Sequence, residues 1–80
     1  GAYLGVQRSI TYEGYKLIVY PTIKVARLFD LGKDSSEKED LINDKKTIRI
    51  QKKLFAKLLD WQERTHDELD VASAFPGLMP

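Results

Sequence analysis

Lys45, Lys46, Arg49, Lys52, Lys53 and Lys57 form the constellation whose residue types and spacing point most clearly to a ligand. No acid interrupts them, and they straddle a change of hydrophobic period. Ile48 and Ile50 alternate with polar neighbours at strand spacing. Leu54, Leu58 and Trp61, with Phe55 and Leu59 beside them, recur at helical spacing and point Trp61 into the core. A basic strand running into a basic amphipathic helix presents cations to a phosphate backbone. Lys52 and Lys53 would stand at the helix N-terminus, where each opposes the macrodipole by roughly a few tenths of a kcal/mol. A phosphate on the free backbone N–H groups there would reverse that sign. The bland alternative is a solvated basic face, offset by the acidic segment Glu37, Glu39, Asp40 and Asp44 packed nearby.

Other chemistry has little to work with. His66 is the sole histidine and cysteine is absent, so neither a thiolate metal site nor a His-based catalytic pair can be assembled. Asp67, Glu68 and Asp70 near His66 read as a solvated face. There is no Gly-rich phosphate loop and no nucleophile elbow. The expectation is a protein that is not an enzyme, with no cofactor and no metal. Net charge is only +1, so affinity for a polyanion has to come from the local patch. The longest purely apolar run, Leu17-Ile18-Val19, is far too short to span a membrane. With no charged-then-apolar leader and no cysteine, a cytoplasmic location is expected.

The elements that must position the basic residues are those of a small α+β domain, one domain over residues 1–80, with an N-terminal β-hairpin, three to four short helices and a short basic strand. Residues 3–20 read as the hairpin, turning at Glu13-Gly14, where glycine supplies a positive φ. That turn puts Tyr12 opposite Tyr15 and Ile10 opposite Leu17, with Ile10, Tyr12, Tyr15, Leu17 and Val19 on the core face. Pro21 suits the start of a buried helix at 22–31, closed by Gly32. Ser36 and Glu39 form a capping box for a short surface helix at 36–42. A strand at 47–50 leads into a helix at 51–64. Thr65 and Glu68 form a second capping box, which starts a helix at 66–74 and removes Asp67, Glu68 and Asp70 from a helix C-terminus. Residues 75–80 form a tail containing Pro76-Gly77.

Two DNA-binding architectures share the local pattern. Ile48-Arg49-Ile50 followed by Leu54 and Leu58 resembles the strand and first helix of ribbon-helix-helix repressors, in which Arg49 would lie in the major groove. Thr47 to Asp60 also resembles the end of the wing and the closing helix of small winged-helix excisionases related to MerR-type regulators. Thr22 to Phe29 is similar to their first helix. That resemblance implies a recognition helix at 36–42, a wing tip at 43–46 and a role in transcription regulation. Base reading would need Arg, Lys, Asn or Gln in that helix, whereas it offers Glu37, Glu39 and Asp40.

Two functions follow as expectations. The first is a DNA-binding regulatory protein whose partner is double-stranded DNA, held by the six cations. The second is a protein-interaction module. Its surfaces would be the outer hairpin face at Ile18 and Tyr20, or the apolar tail residues Phe75, Leu78 and Met79. Docking of those tail residues on the protein's own core is the favoured alternative to a partner surface. Homodimerisation would enlarge so small a core and stays open beside a monomer.

Overall fold

The hairpin turn sets the register of everything that follows. In the computed structural model, which describes residues 6–79, Glu13 and Gly14 both adopt positive φ, at 53° and 82°. This turn twists with its strands, and it joins β1 (Arg8–Tyr12) to β2 (Tyr15–Tyr20) with Tyr12 opposite Tyr15 and Ile10 opposite Leu17. Residues 3–5 of the predicted hairpin and residue 80 of the predicted tail lie outside the described residues.

The segment predicted as a buried helix at 22–31 is instead the third strand. Pro21–Ile23 makes a single 3-10 turn, and Lys24, at φ 55°, reverses the chain into β3 (Val25–Asp30). β3 pairs antiparallel with β2, placing Leu28 beside Leu17 and Ala26 beside Val19. A two-stranded hairpin alone is marginal in water, so β2 gains from a second partner. The apolar run around its circumference, which suggested a helix, reflects a strand covered on both faces. Leu28 is buried towards the helix, while Phe29 is only 5% exposed on the opposite face. Lys16 projects from that same outer face and pairs with Glu37 at 3.3 Å, so the 31–44 loop crosses it.

No helix forms at 36–42. Asp34 accepts the N–H groups of Lys38 and Glu39, and Glu37 takes φ 55°, incompatible with a helical first turn. Asp40 instead binds the β3 edge: the Leu28 N–H donates to its Oδ1 at 2.9 Å, and the Leu28 carbonyl accepts from the Leu41 N–H at 2.7 Å. These acids serve as turn formers.

The strand predicted at 47–50 is also absent, because the helix begins earlier. Asp44 caps a 3-10 turn, Lys45–Thr47, that runs directly into α1 (Ile48–Arg64). Ile48-Arg49-Ile50 is too short for alternation to outweigh the helical period of Thr47, Gln51, Leu54, Phe55, Leu58 and Gln62, all of which are buried. α1 lies on the sheet, and Leu54, Phe55 and Leu58 pack with Leu17, Val19, Leu28, Val71 and Phe75 in one core. Trp61, expected in that core, is 46% exposed on the margin of the buried stripe.

α1 ends at Arg64, as the sequence suggested, but no second helix follows. His66 adopts φ 57°, its N–H donates to the Glu63 carbonyl and the Asp67 N–H to that of Gln62. This is a Schellman closure with histidine where glycine is usual. Thr65 therefore finishes one helix and does not start another, its hydroxyl donating back to the Trp61 carbonyl. Residues 67–79 run irregularly across the core with two 3-10 turns, Ala72–Ala74 and Pro76–Leu78. The architecture is thus α+β with one long helix on a three-stranded antiparallel sheet, not a hairpin with three to four helices. The first helix and recognition helix implied by the excisionase resemblance fall on β3 and on irregular chain.

Two buried glutamines tie the loops to α1. The Gln51 Nε2 donates to the Ile42 carbonyl at 2.8 Å, and the Gln62 Nε2 donates to the Leu69 carbonyl at 3.0 Å. Arg8 adds a long-range tie from β1, donating through Nε and Nη2 to Asp67 at 2.6 and 3.0 Å.

Leu54→Ala should cost about 2–5 kcal/mol, a large share of the stability of a domain this small, and urea unfolding measures it. The Arg8 hydrogen bonds hold the Asp67 carboxyl far below the ordinary carboxylate range. Its contribution is therefore present above the unfolded-state value, near 4, and is lost as pH falls below it. Asp67→Asn should lower the thermal midpoint at pH 7, and the gap from the parent should shrink below about pH 4. A gap independent of pH would show that the ion pair does not stabilise the fold.

Candidate functional site

Burial of one stripe of α1 turns the opposite stripe to solvent, and that second stripe carries the basic residues. Lys45, Lys46, Arg49, Lys52 and Lys53 are exposed and Lys57 is half-buried. The structure divides the six. Lys53 Nζ pairs with Glu13 Oε1 at 2.8 Å, across the hairpin turn. The Tyr12 ring receives both Lys57, with Nζ 4.1 Å from its centroid, and Lys53 at 5.2 Å. Both distances are within cation–π range. Lys45, Lys46, Arg49 and Lys52 make no ion pair among the described residues.

The position of these cations along α1 differs from the expectation. Lys52 and Lys53 sit inside the helix, so their N–H groups are committed to intrahelical bonds. The true start is capped by the protein itself. The Lys46 N–H donates to Asp44 Oδ1 at 3.0 Å and the Thr47 N–H to the Asp44 carbonyl at 2.9 Å. A phosphate seated on free N–H groups at Lys52 and Lys53 is therefore ruled out by where the helix begins, and the side chains alone carry the cationic surface. The polarity remains unfavourable: Lys45 and Lys46 occupy the 3-10 turn that leads into α1, while Asp60 and Glu63 lie towards its C-terminal end. Arg64, paired with Asp60 at 2.6 Å, offsets the C-terminal end in part.

Between the hairpin turn and the start of α1 lies a shallow groove of about 260 Å3, lined by Glu13, Tyr15, Lys46, Thr47, Arg49, Ile50 and Lys53. Contact with Lys53 holds the Glu13 carboxyl below its ordinary value and raises that of Lys53, so the pair stays ionised near neutrality. An adjoining recess of about 390 Å3 is lined by Asp30, Asp34, Glu39 and Asp44 with Lys33 and Lys46. Three of its acids already serve backbone groups: Asp30 accepts from Gly32, Asp34 from Lys38 and Glu39, and Asp44 from Lys46. Among the described residues no group of three or more His, Cys, Asp or Glu side chains could hold a metal ion.

The residues considered for protein binding separate as well. Ile18 and Tyr20 lie half-buried on the outer face of the sheet, with Ile18 between Ser9 and Arg27. Phe75 is taken into the core, edge-to-face with Phe55 at 6.0 Å, and Leu78 packs against the same cluster. Both are therefore largely consumed by the fold, while Met79 stays exposed. Between β3 and this docked tail runs a more open groove of about 530 Å3, lined by Val25, Ala26, Ile42, Ala74, Phe75 and Leu78, with Lys24 and Asn43 at its rim.

Sequence reasoning missed the Tyr12 platform, the Asp44 cap and the two glutamines. Gln51 and Gln62 were accessible to it, because they continue the spacing of Phe55 and Leu58 on α1 at polar positions. Tyr12 was not, since its two lysines depend on how α1 crosses β1. No protein-family model, no curated protein and no solved structure matches this chain.

Proposed function

We propose that this is a non-enzymatic, DNA-binding regulatory protein that contacts the phosphate backbone of duplex DNA through the outward face of α1. The observation that supports it is the set Lys45, Lys46, Arg49 and Lys52: four exposed cations without ion-pair partners among the described residues, gathered over the 3-10 turn and the N-terminal half of α1 with no acid between them. From Lys45 to Lys52 the chain advances about 10 Å along the axis, over which one strand of a duplex presents about three phosphates. Lys53 and Lys57 join from the flank. Such contacts position a protein without reading bases, so binding is expected to depend weakly on sequence. A cytoplasmic location accompanies this reading; among the described residues no helix is long and apolar enough to cross a membrane.

A second reading is a protein-interaction module, favoured by one feature, the apolar groove between β3 and the docked tail. Its basic face would then meet an acidic protein surface.

With four phosphates neutralised, log affinity should fall with log salt at a slope of about −3.6, roughly 150-fold between about 50 and 200 mM. Replacing Arg49 and Lys52 together by Glu should leave the fold intact, since both side chains are exposed. It should weaken binding and flatten the slope by about two units, as measured by fluorescence anisotropy on a random-sequence duplex. An unchanged slope would dismiss this face as the contact. A protein partner kept by that double variant but lost on Leu78→Asp would favour the groove instead.

A further inference from the structure

Glu13 is the one acid in a groove otherwise made of cations and neutral groups, and it sits there against local backbone preference. The first position of this turn requires φ > 0, which Asn or Asp tolerates far better than Glu. Here Glu13 adopts φ 53° and extends its carboxylate to Lys53 Nζ at 2.8 Å. Lys46 and Arg49 line the same groove and have no ion pair among the described residues. The pair is about half exposed on both sides, so it is screened and readily exchanged.

We infer that the Glu13 carboxylate is an intramolecular stand-in for a DNA phosphate, occupying Lys53 until the backbone of a duplex displaces it into the groove formed with Lys46 and Arg49. This rests on the DNA-binding reading and adds to it a residue that weakens binding and raises the demand on ligand charge density. A single small anion offers Lys53 no more than Glu13 already does. A polyanion that engages Lys45, Lys46, Arg49 and Lys52 at once can displace the carboxylate. The depressed protonation range of Glu13 fits a carboxylate that remains charged, and therefore competitive, at neutral pH.

A second glutamate provides the control. Glu37 has nearly the same backbone conformation, φ 55°, and also pairs with a lysine, but with Lys16 on the sheet face turned away from α1. Glu13→Asn and Glu37→Asn thus make the same charge change at the same kind of backbone position. The experiment is duplex binding by fluorescence anisotropy across a salt series, with far-UV circular dichroism confirming that both variants remain folded. Glu13→Asn should bind about three- to fivefold tighter across the salt series, because Lys53 then reaches a phosphate without first losing a carboxylate partner. Glu37→Asn should gain clearly less. Equal gains for both variants would reduce the effect to net charge and overturn the inference. No gain for Glu13→Asn, with salt-dependent binding by the parent, would overturn it while leaving the DNA-binding reading in place. Absence of binding by parent and variants alike would remove both.

Discussion

Everything in this molecule hangs on burying the apolar stripe of α1 against one face of a three-stranded sheet. Leu54, Phe55 and Leu58 meet Leu17, Val19 and Leu28, and the residues after the helix return to close the core with Val71 and Phe75. Apolar burial at about 25 cal/mol per Å2 is the main favourable term available to a chain of this length. Because a helix has a fixed period, committing that stripe also commits the opposite one. The cations from Lys45 to Lys52 are driven outward by the leucines on the far side. The basic surface is thus a geometric consequence of the core.

Polar groups extend this control to chain that has no regular structure. Gln51 and Gln62 each donate from the buried side of α1 to a loop carbonyl, Ile42 on one side and Leu69 on the other. A buried amide without partners would be costly, so each loop is held where it satisfies its glutamine. Asp34, Asp40, Asp44 and Asp70 do comparable work from within the loops, each accepting backbone N–H groups. Much of the acidic side of the charge balance is therefore consumed in shaping turns. Lys45, Lys46, Arg49 and Lys52 are left without an ion pair among the described residues, even though the net charge is near zero.

The hairpin and the end of the long helix were legible in the sequence, the rest much less so. Glu13-Gly14 has one natural use, and the register of Tyr12 and Tyr15 follows from it. The end of α1 at Arg64 was marked by the charge reversal after it, though the closure uses His66 in a left-handed conformation where glycine is the commoner choice. Residues 22–31 were misread because a strand buried on both faces and a buried helix share an apolar run. Deciding between them depends on β2 needing a partner, which is tertiary information. Ile48 and Ile50 misled in the opposite direction, since three alternating residues cannot compete with a helical stripe that continues back to Thr47. The basic residues were found as a group, but their division was not visible. Lys53 and Lys57 turn to Tyr12 and Glu13 because α1 crosses the hairpin there, and sequence spacing holds no record of that crossing.

The central claim is that the outward face of α1 is where a polyanion lands. Amide chemical-shift mapping during titration with a short random-sequence duplex addresses it most directly, because the readout is a location. Shifts confined to residues 45–53 and the turn at Glu13 and Gly14, vanishing at high salt, are expected. Shifts centred on Ile42, Ala74 and Leu78, or no shifts at low salt, would contradict the claim.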